Sequence, residues 1–202
     1  MTGAAMIEPL PAGPFACILA DPPWSFMTYG KKATTPHRSA NDHYVLMSAA
    51  QLQAMPVADV AAKDCALFMW VVDSHLDEAI DLGRAWGFEF KTIAFIWCKT
   101  TKRAKQFGFF PPETVHRIGM GYWTRKQAEI CIMFTRGKPR RLGKGVRQII
   151  EAPRREHSRK PDETHARIEA LVSGPYLELF ARQPRAGWSV WGNQTDKFAE
   201  AA

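Results

Sequence analysis

The chain has 202 residues, 46% of them hydrophobic, and carries 27 Lys and Arg against 20 Asp and Glu, a net charge of +7. That size suits one globular domain with a full sheet buried between helices, and the basic surplus favours a polyanionic partner. No apolar run reaches the length of a membrane span, and residues 1–14 lack the basic start and apolar core of a secretory leader, so a cytoplasmic protein with no membrane partner is expected. Cys17, Cys65, Cys98 and Cys131 lie far apart, mostly in apolar strand-like runs, and read as reduced core residues; the histidines form no metal-binding pair, so no metal is expected.

Phe15–Ala20 reads as a buried strand, and it delivers Asp21-Pro22-Pro23-Trp24 at its C-terminal end, the edge at which open α/β sheets bind ligands. Two prolines stiffen the backbone and leave its carbonyls to accept from an exocyclic amine, while Trp24 offers a flat face on which a base can stack. The tetrapeptide therefore suits adenine or cytosine. Asp-Pro-Pro is also ordinary turn chemistry, and Trp24 can equally fill a core.

Ser25–His43 has no apolar periodicity and reads as a surface loop beside the site, with the length of a lid. Ser48 caps a helix through Val60; Ala66–Val72 is typical of a central parallel strand; Leu76–Trp86 is a helix closed by Gly87; Phe88–Trp97 is a strand. Lys99–Tyr122 interleaves Lys102, Arg103, Lys105, His116 and Arg117 with aromatic residues, which suits single-stranded or flipped-out nucleic acid, although a solvated basic loop fits equally well. Glu129–Thr135 reads as a further strand. Arg136–Arg159, rich in Arg and Lys and poor in large apolar residues apart from Val146–Ile150, is expected to be mostly mobile and ordered by a ligand, with Arg154 and Arg155 as nucleic-acid contacts. Lys160-Pro161-Asp162-Glu163 starts a helix that runs to Val172, Tyr176–Phe180 is a strand, and Trp188–Trp191 closes at Gly192-Asn193-Gln194. Alternating strands and helices predict a doubly wound, mostly parallel α/β sheet over residues 15–196, between an N-terminal tail of residues 1–14 and a C-terminal tail of residues 197–202.

Taken in order, Asp21-Pro22-Pro23-Trp24, Gly121-Tyr122-Trp123, Arg155–Glu163, Leu177–Arg182 and Gly192-Asn193-Gln194 resemble the adenine-N6 methyltransferase family that includes the catalytic subunit of the eukaryotic messenger-RNA m6A writer. The resemblance implies a Rossmann-like class I methyltransferase fold, S-adenosylmethionine as cofactor, and DNA or RNA as partner, with DNA slightly favoured and single strands or a homodimer both compatible. It implies that Asp21, Pro22, Pro23 and Trp24 form the catalytic motif and that Lys160 meets the cofactor's carboxylate. It further implies cofactor contacts from Asp21, Glu178, Phe180, Arg182, Asn193 and Gln194, and it aligns Tyr44 with a tyrosine of the gate loop. Where the family carries a Pro-His-Asn-like stretch after the arginine, this chain has Gln183-Pro184-Arg185. The rival readings are a noncatalytic nucleic-acid-binding partner of a methyltransferase, and a methyltransferase acting on a protein or small amine.

Overall fold

The computed structural model describes residues 9–24, 47–101, 119, 123–155, 159–193, 195 and 197. In chain order the elements are β1 (Phe15–Ala20), α1 (Ala49–Gln53), α2 (Val57–Val60), β2 (Ala61–Val71), α3 (Leu76–Ala85), β3 (Glu89–Thr100), β4 (Ala128–Arg136), β5 (Ile149–Pro153), α4 (Glu163–Leu171), β6 (Tyr176–Leu179) and β7 (Trp188–Trp191). The strands form one sheet in the order β5-β3-β4-β2-β1-β6-β7. β1 runs parallel to β2 on one flank and to β6 on the other, and β7 and β5 are parallel to β6 and β3; β4 alone runs antiparallel, between β2 and β3.

Both faces are covered, which is why the central strands read as unbroken apolar runs rather than alternating ones. Ile18, Leu67 and Met69 pack with Leu52, Leu82 and Trp86 on the α1–α3 side, while Cys17, Leu19, Phe68 and Trp70 pack with Ile168 and Trp188 on the α4 side. The fold is the expected mixed α/β, doubly wound sheet of Rossmann type. From β1 the chain proceeds to β2 on one flank and later enters β6 on the other, so the strand succession reverses between β1 and β6. Such a reversal opens a crevice at the carboxyl ends of the strands.

Three expectations are corrected. The single helix through Val60 is two, because Pro56 has no N–H to donate back to Leu52; instead Met55 donates to the Leu52 carbonyl at 3.2 Å and Val57 to that of Met55 at 2.8 Å. Ala66–Val72, read as a central parallel strand, begins at Ala61 and is parallel to β1 on one side but antiparallel to β4 on the other. The segment after Arg136, expected to be mobile, contains the edge strand β5, with Ile150 fully buried. Its first residues are held by backbone donors that composition does not reveal: Lys138 N–H donates to Asp64 Oδ1 at 2.7 Å and Leu142 N–H to the Leu171 carbonyl at 2.8 Å.

Of the cysteines, Cys17, Cys65 and Cys131 are buried and Cys98 half-buried, and all are free thiols. Burial pushes the Cys65 thiol up to about 12, and Cys17 rises by the same cause, so neither is a nucleophile.

Candidate active site

β1 ends at Ala20 and presents Asp21 to the crevice, with the Asp21 N–H directed to the Leu179 carbonyl of β6 at 3.4 Å. Lys160, just ahead of α4, reaches across and donates from Nζ to both carboxylate oxygens of Asp21, at 2.8 and 2.7 Å. The pair, 139 residues apart in sequence, is only 17% and 19% exposed. Lys160 Nζ also lies 3.5 Å from Glu129 Oε2 and 5.7 Å from the Trp70 ring centre, and Glu129 Oε1 accepts from Lys99 Nζ at 2.5 Å. The result is an alternating row of charges, Lys99, Glu129, Lys160, Asp21. Burial alone would raise the Glu129 carboxyl, but the flanking ammonium groups of Lys160 and Lys99 outweigh it and hold the group down to about 2. The same balance raises Lys160: burial opposes its charge, while Asp21 and Glu129 more than restore it.

Glu129 was missed in the sequence. It opens β4, and because that strand is antiparallel its N-terminal end lies at the edge where the parallel strands finish, opposite Trp97. Strand direction was the missing signal. Lys99, read as the start of a basic nucleic-acid segment, is instead committed to Glu129.

Asp21, Lys160, Glu178, Phe180 and Arg182, all singled out in the sequence, line one pocket at the β1–β6 reversal, joined there by His165 of α4. β6 stops one residue earlier than expected. Phe180 adopts φ 62°, a strained left-handed conformation for an aromatic residue, and so turns the chain toward Arg182. Ala181 N–H donates to the Trp191 carbonyl at 3.0 Å, bringing the end of β7 against the same turn. A Cβ on Gly192 would stand 2.7 Å from the Ala181 carbonyl oxygen, so the glycine permits this approach and leads into Asn193, which is exposed.

Two assignments change in character. Trp24, read as either an open stacking face or a core residue, is 6% exposed and donates from Nε1 to the Trp70 carbonyl at 3.2 Å; its indole is a core group. Pro22's carbonyl already accepts from the Trp24 N–H at 2.8 Å, which leaves its second lone pair for a ligand. Arg155, expected on the nucleic-acid surface, donates to Asp162 at 2.6 Å and to the Lys160 carbonyl at 2.9 Å, so it fixes the backbone that carries the lysine. That bond from Arg155 holds the Asp162 carboxyl below its ordinary range. Arg154 is exposed at the end of β5. Tyr44, Lys102, Arg103, Lys105, His116, Arg117 and Gln194 lie outside the described residues.

The family model described as MT-A70 matches residues 15–194, nearly the whole chain. The chain belongs to the MT-A70 family. Among similar proteins, the Type II methyltransferase M.MunI of Mycoplasma sp is 33% identical over 202 residues, covering 91% of this chain and 78% of that protein. The N(6)-adenosine-methyltransferase catalytic subunit METTL3 of Homo sapiens is 31% identical over 192 residues, covering 91% of this chain and 29% of its own. The N(6)-adenosine-methyltransferase MT-A70-like protein of Drosophila melanogaster is 30% identical over 194 residues, 91% of this chain and 27% of its own. This MT-A70 chain thus spans most of the bacterial relative and under a third of these two eukaryotic ones.

Proposed function

We propose that this chain transfers a methyl group from S-adenosylmethionine to the N6 amine of adenine in nucleic acid. The observation that carries the reading is the Asp21–Lys160 pair at the crevice where strand succession reverses. Membership of the MT-A70 family and the N(6)-adenosine-methyltransferase names of relatives support the adenine chemistry.

The pocket's donor set fits the cofactor. An ammonium and a carboxylate side by side can exchange partners with an amino-acid zwitterion, Lys160 taking the carboxylate and Asp21 the ammonium. Two buried polar atoms on the pocket wall, Trp70 Nε1 and His165 Nδ1, have no hydrogen-bond partner among the described residues, which marks the wall as built for polar company. When bound, S-adenosylmethionine supplies an electrophilic methyl group on a sulfonium.

The chain's task is then positioning. An adenine amine is a weak nucleophile because its lone pair is delocalised into the ring. Asp21 and the Pro22 carbonyl, accepting from its two N–H groups, orient the amine and stabilise the positive charge that develops on nitrogen. Trp24, buried and hydrogen-bonded, keeps the motif from yielding as they do so. No covalent intermediate with the protein is required. A base in a duplex must first be flipped out, at a cost of a few kcal/mol, which single strands avoid. Within nucleic acid, DNA is the favoured substrate and RNA the alternative.

Incubation with tritiated S-adenosylmethionine and matched single- and double-stranded DNA and RNA, followed by mass spectrometry of the nucleosides, tests the reading. N6-methyladenine is expected with wild type, and Asp21→Ala is expected to lower its rate by several orders of magnitude while the protein stays folded. Near wild-type turnover by folded Asp21→Ala would remove Asp21 from the mechanism.

A further inference from the structure

His165 sits in the first turn of α4, 6% exposed, and no sequence motif points to it. Its Nε2 lies 2.8 Å from Glu178 Oε2, while its Nδ1 is buried without a hydrogen-bond partner among the described residues. An unpaired buried acceptor is tolerated better than an unpaired buried donor. The hydrogen-bond geometry assigns a proton to Nε2, which donates to the carboxylate, and leaves Nδ1 as the unpaired acceptor.

The ring is held from its other side as well. It meets the Trp188 indole edge-on at 4.9 Å; that indole stacks on Tyr176 at 4.7 Å and donates from Nε1 to Glu169 at 2.7 Å, and the Tyr176 hydroxyl donates to the Val172 carbonyl at 2.8 Å. A braced imidazole of this kind fixes the side chain it bonds. Glu178 has its neighbour Leu19 on β1 in the same pocket wall, so fixing Glu178 fixes an acceptor one position along β6 from Leu179, whose partner Ala20 precedes Asp21.

We propose that His165 is a positioning residue for the cofactor pocket: it engages Oε2 of Glu178 and so leaves Oε1 in place to accept a hydrogen bond from bound S-adenosylmethionine. This rests on the proposed function. Two features separate it from simple packing. Aromatic packing against Trp188 needs only a ring, whereas the role assigned here needs the Nε2 donor, and it predicts that His165 and Glu178 act as one unit.

Calorimetric titration with S-adenosylmethionine tests it. His165→Phe keeps a ring beside Trp188 but loses the donor, and its affinity should fall about ten- to hundred-fold, the range for losing a bond to a charged group. His165→Gln, which retains an amide donor, should recover most of that loss. Glu178→Ala should weaken binding similarly, and adding His165→Phe to it should cost nothing more. Should His165→Phe fail to fold, His165→Asn, whose amide is too short for the contact, takes its place. Long-range 15N NMR of wild type should show His165 as the Nε2–H tautomer. Wild-type affinity in folded His165→Phe, losses that multiply in the double variant, or an Nδ1–H tautomer would each overturn the proposal. A wild-type protein that binds no S-adenosylmethionine would instead overturn the functional reading beneath it.

Discussion

Asp21 and Lys160 could be read from the sequence because each sits in a short motif at the end of a recognisable element. Glu129 could not, because its importance comes from two lysines that the fold brings to it, Lys99 through β3–β4 pairing and Lys160 from ahead of α4. Trp24 shows the converse: its motif was legible and both positions of the indole were open, and which one it took depended on the Trp70 carbonyl, 46 residues away. Replacing Lys160 with Met should weaken S-adenosylmethionine binding by about 1.5–3 kcal/mol through loss of a charge-assisted bond, with little change in affinity for nucleic acid; calorimetry with each ligand separates the two. Glu129 makes a pH prediction. Its carboxyl is depressed in the fold, from 4.5 to about 2, so its stabilisation is complete above pH 4.5 and is lost as pH falls toward 2. That stabilisation is on the order of 3 kcal/mol, with roughly 2 kcal/mol gone by pH 3. Urea unfolding at pH 6 and pH 3 should therefore show a smaller drop for Glu129→Gln than for wild type, and equal drops would refute the assignment.

At the scale of elements, local signals worked where local chemistry decides. Ser48 and Gln51 form the capping box at the start of α1, Ser48 Oγ accepting from the Gln51 N–H at 3.3 Å and Gln51 Oε1 from the Ser48 N–H at 2.8 Å. Gly87, at φ 84°, closes α3 as expected. β5 was missed although Ile149 and Ile150 stood out as apolar, because so short an edge strand is recruited by its neighbour: Ile96 N–H donates to the Gln148 carbonyl at 3.1 Å, and Gln148 Nε2 donates to that of Ile93 at 2.8 Å. Packing of α3 on the sheet supplies a sharp test. A Cβ on Gly83 would stand 2.2 Å from Phe134 Cε1 in the core under β4, whereas one on Gly145 meets nothing within 4 Å. Gly83→Ala should cost about 1–3 kcal/mol by overpacking, and Gly145→Ala should be neutral or stabilise by less than about 1 kcal/mol. Denaturation midpoints of the two variants check this, and a stable Gly83→Ala protein would mean that α3 does not press on Phe134.

For the molecule as a whole, the alternation of strands and helices announced a doubly wound sheet, but not the antiparallel insertion of β4 between β2 and β3, since a buried strand reads the same in either direction. That insertion carries Glu129 to the edge that holds Asp21 and Lys160 and so joins the architecture to the charge row. Lys99, Lys160 and Arg155 are each paired with a carboxylate there or nearby, which leaves the net charge of +7 unchanged but takes these three cations out of the set that can meet a polyanion. The groups proposed to meet it are Arg154, exposed at the end of β5, together with Lys102, Arg103 and Lys105. If they bear on phosphates, the logarithm of affinity for DNA should fall linearly with the logarithm of salt concentration, and each charge removed from a phosphate contact should reduce the slope by about 0.7–0.9. Arg154→Ala should flatten the slope by about one such step without altering S-adenosylmethionine binding. Arg155→Ala should behave differently, loosening the backbone at Lys160 and so weakening the cofactor first. Filter binding across a salt series, with calorimetry of the cofactor alongside, distinguishes the two arginines. Identical behaviour of both would mean that Arg155 also acts as a phosphate contact and that its bonds to Asp162 and the Lys160 carbonyl do not govern the site.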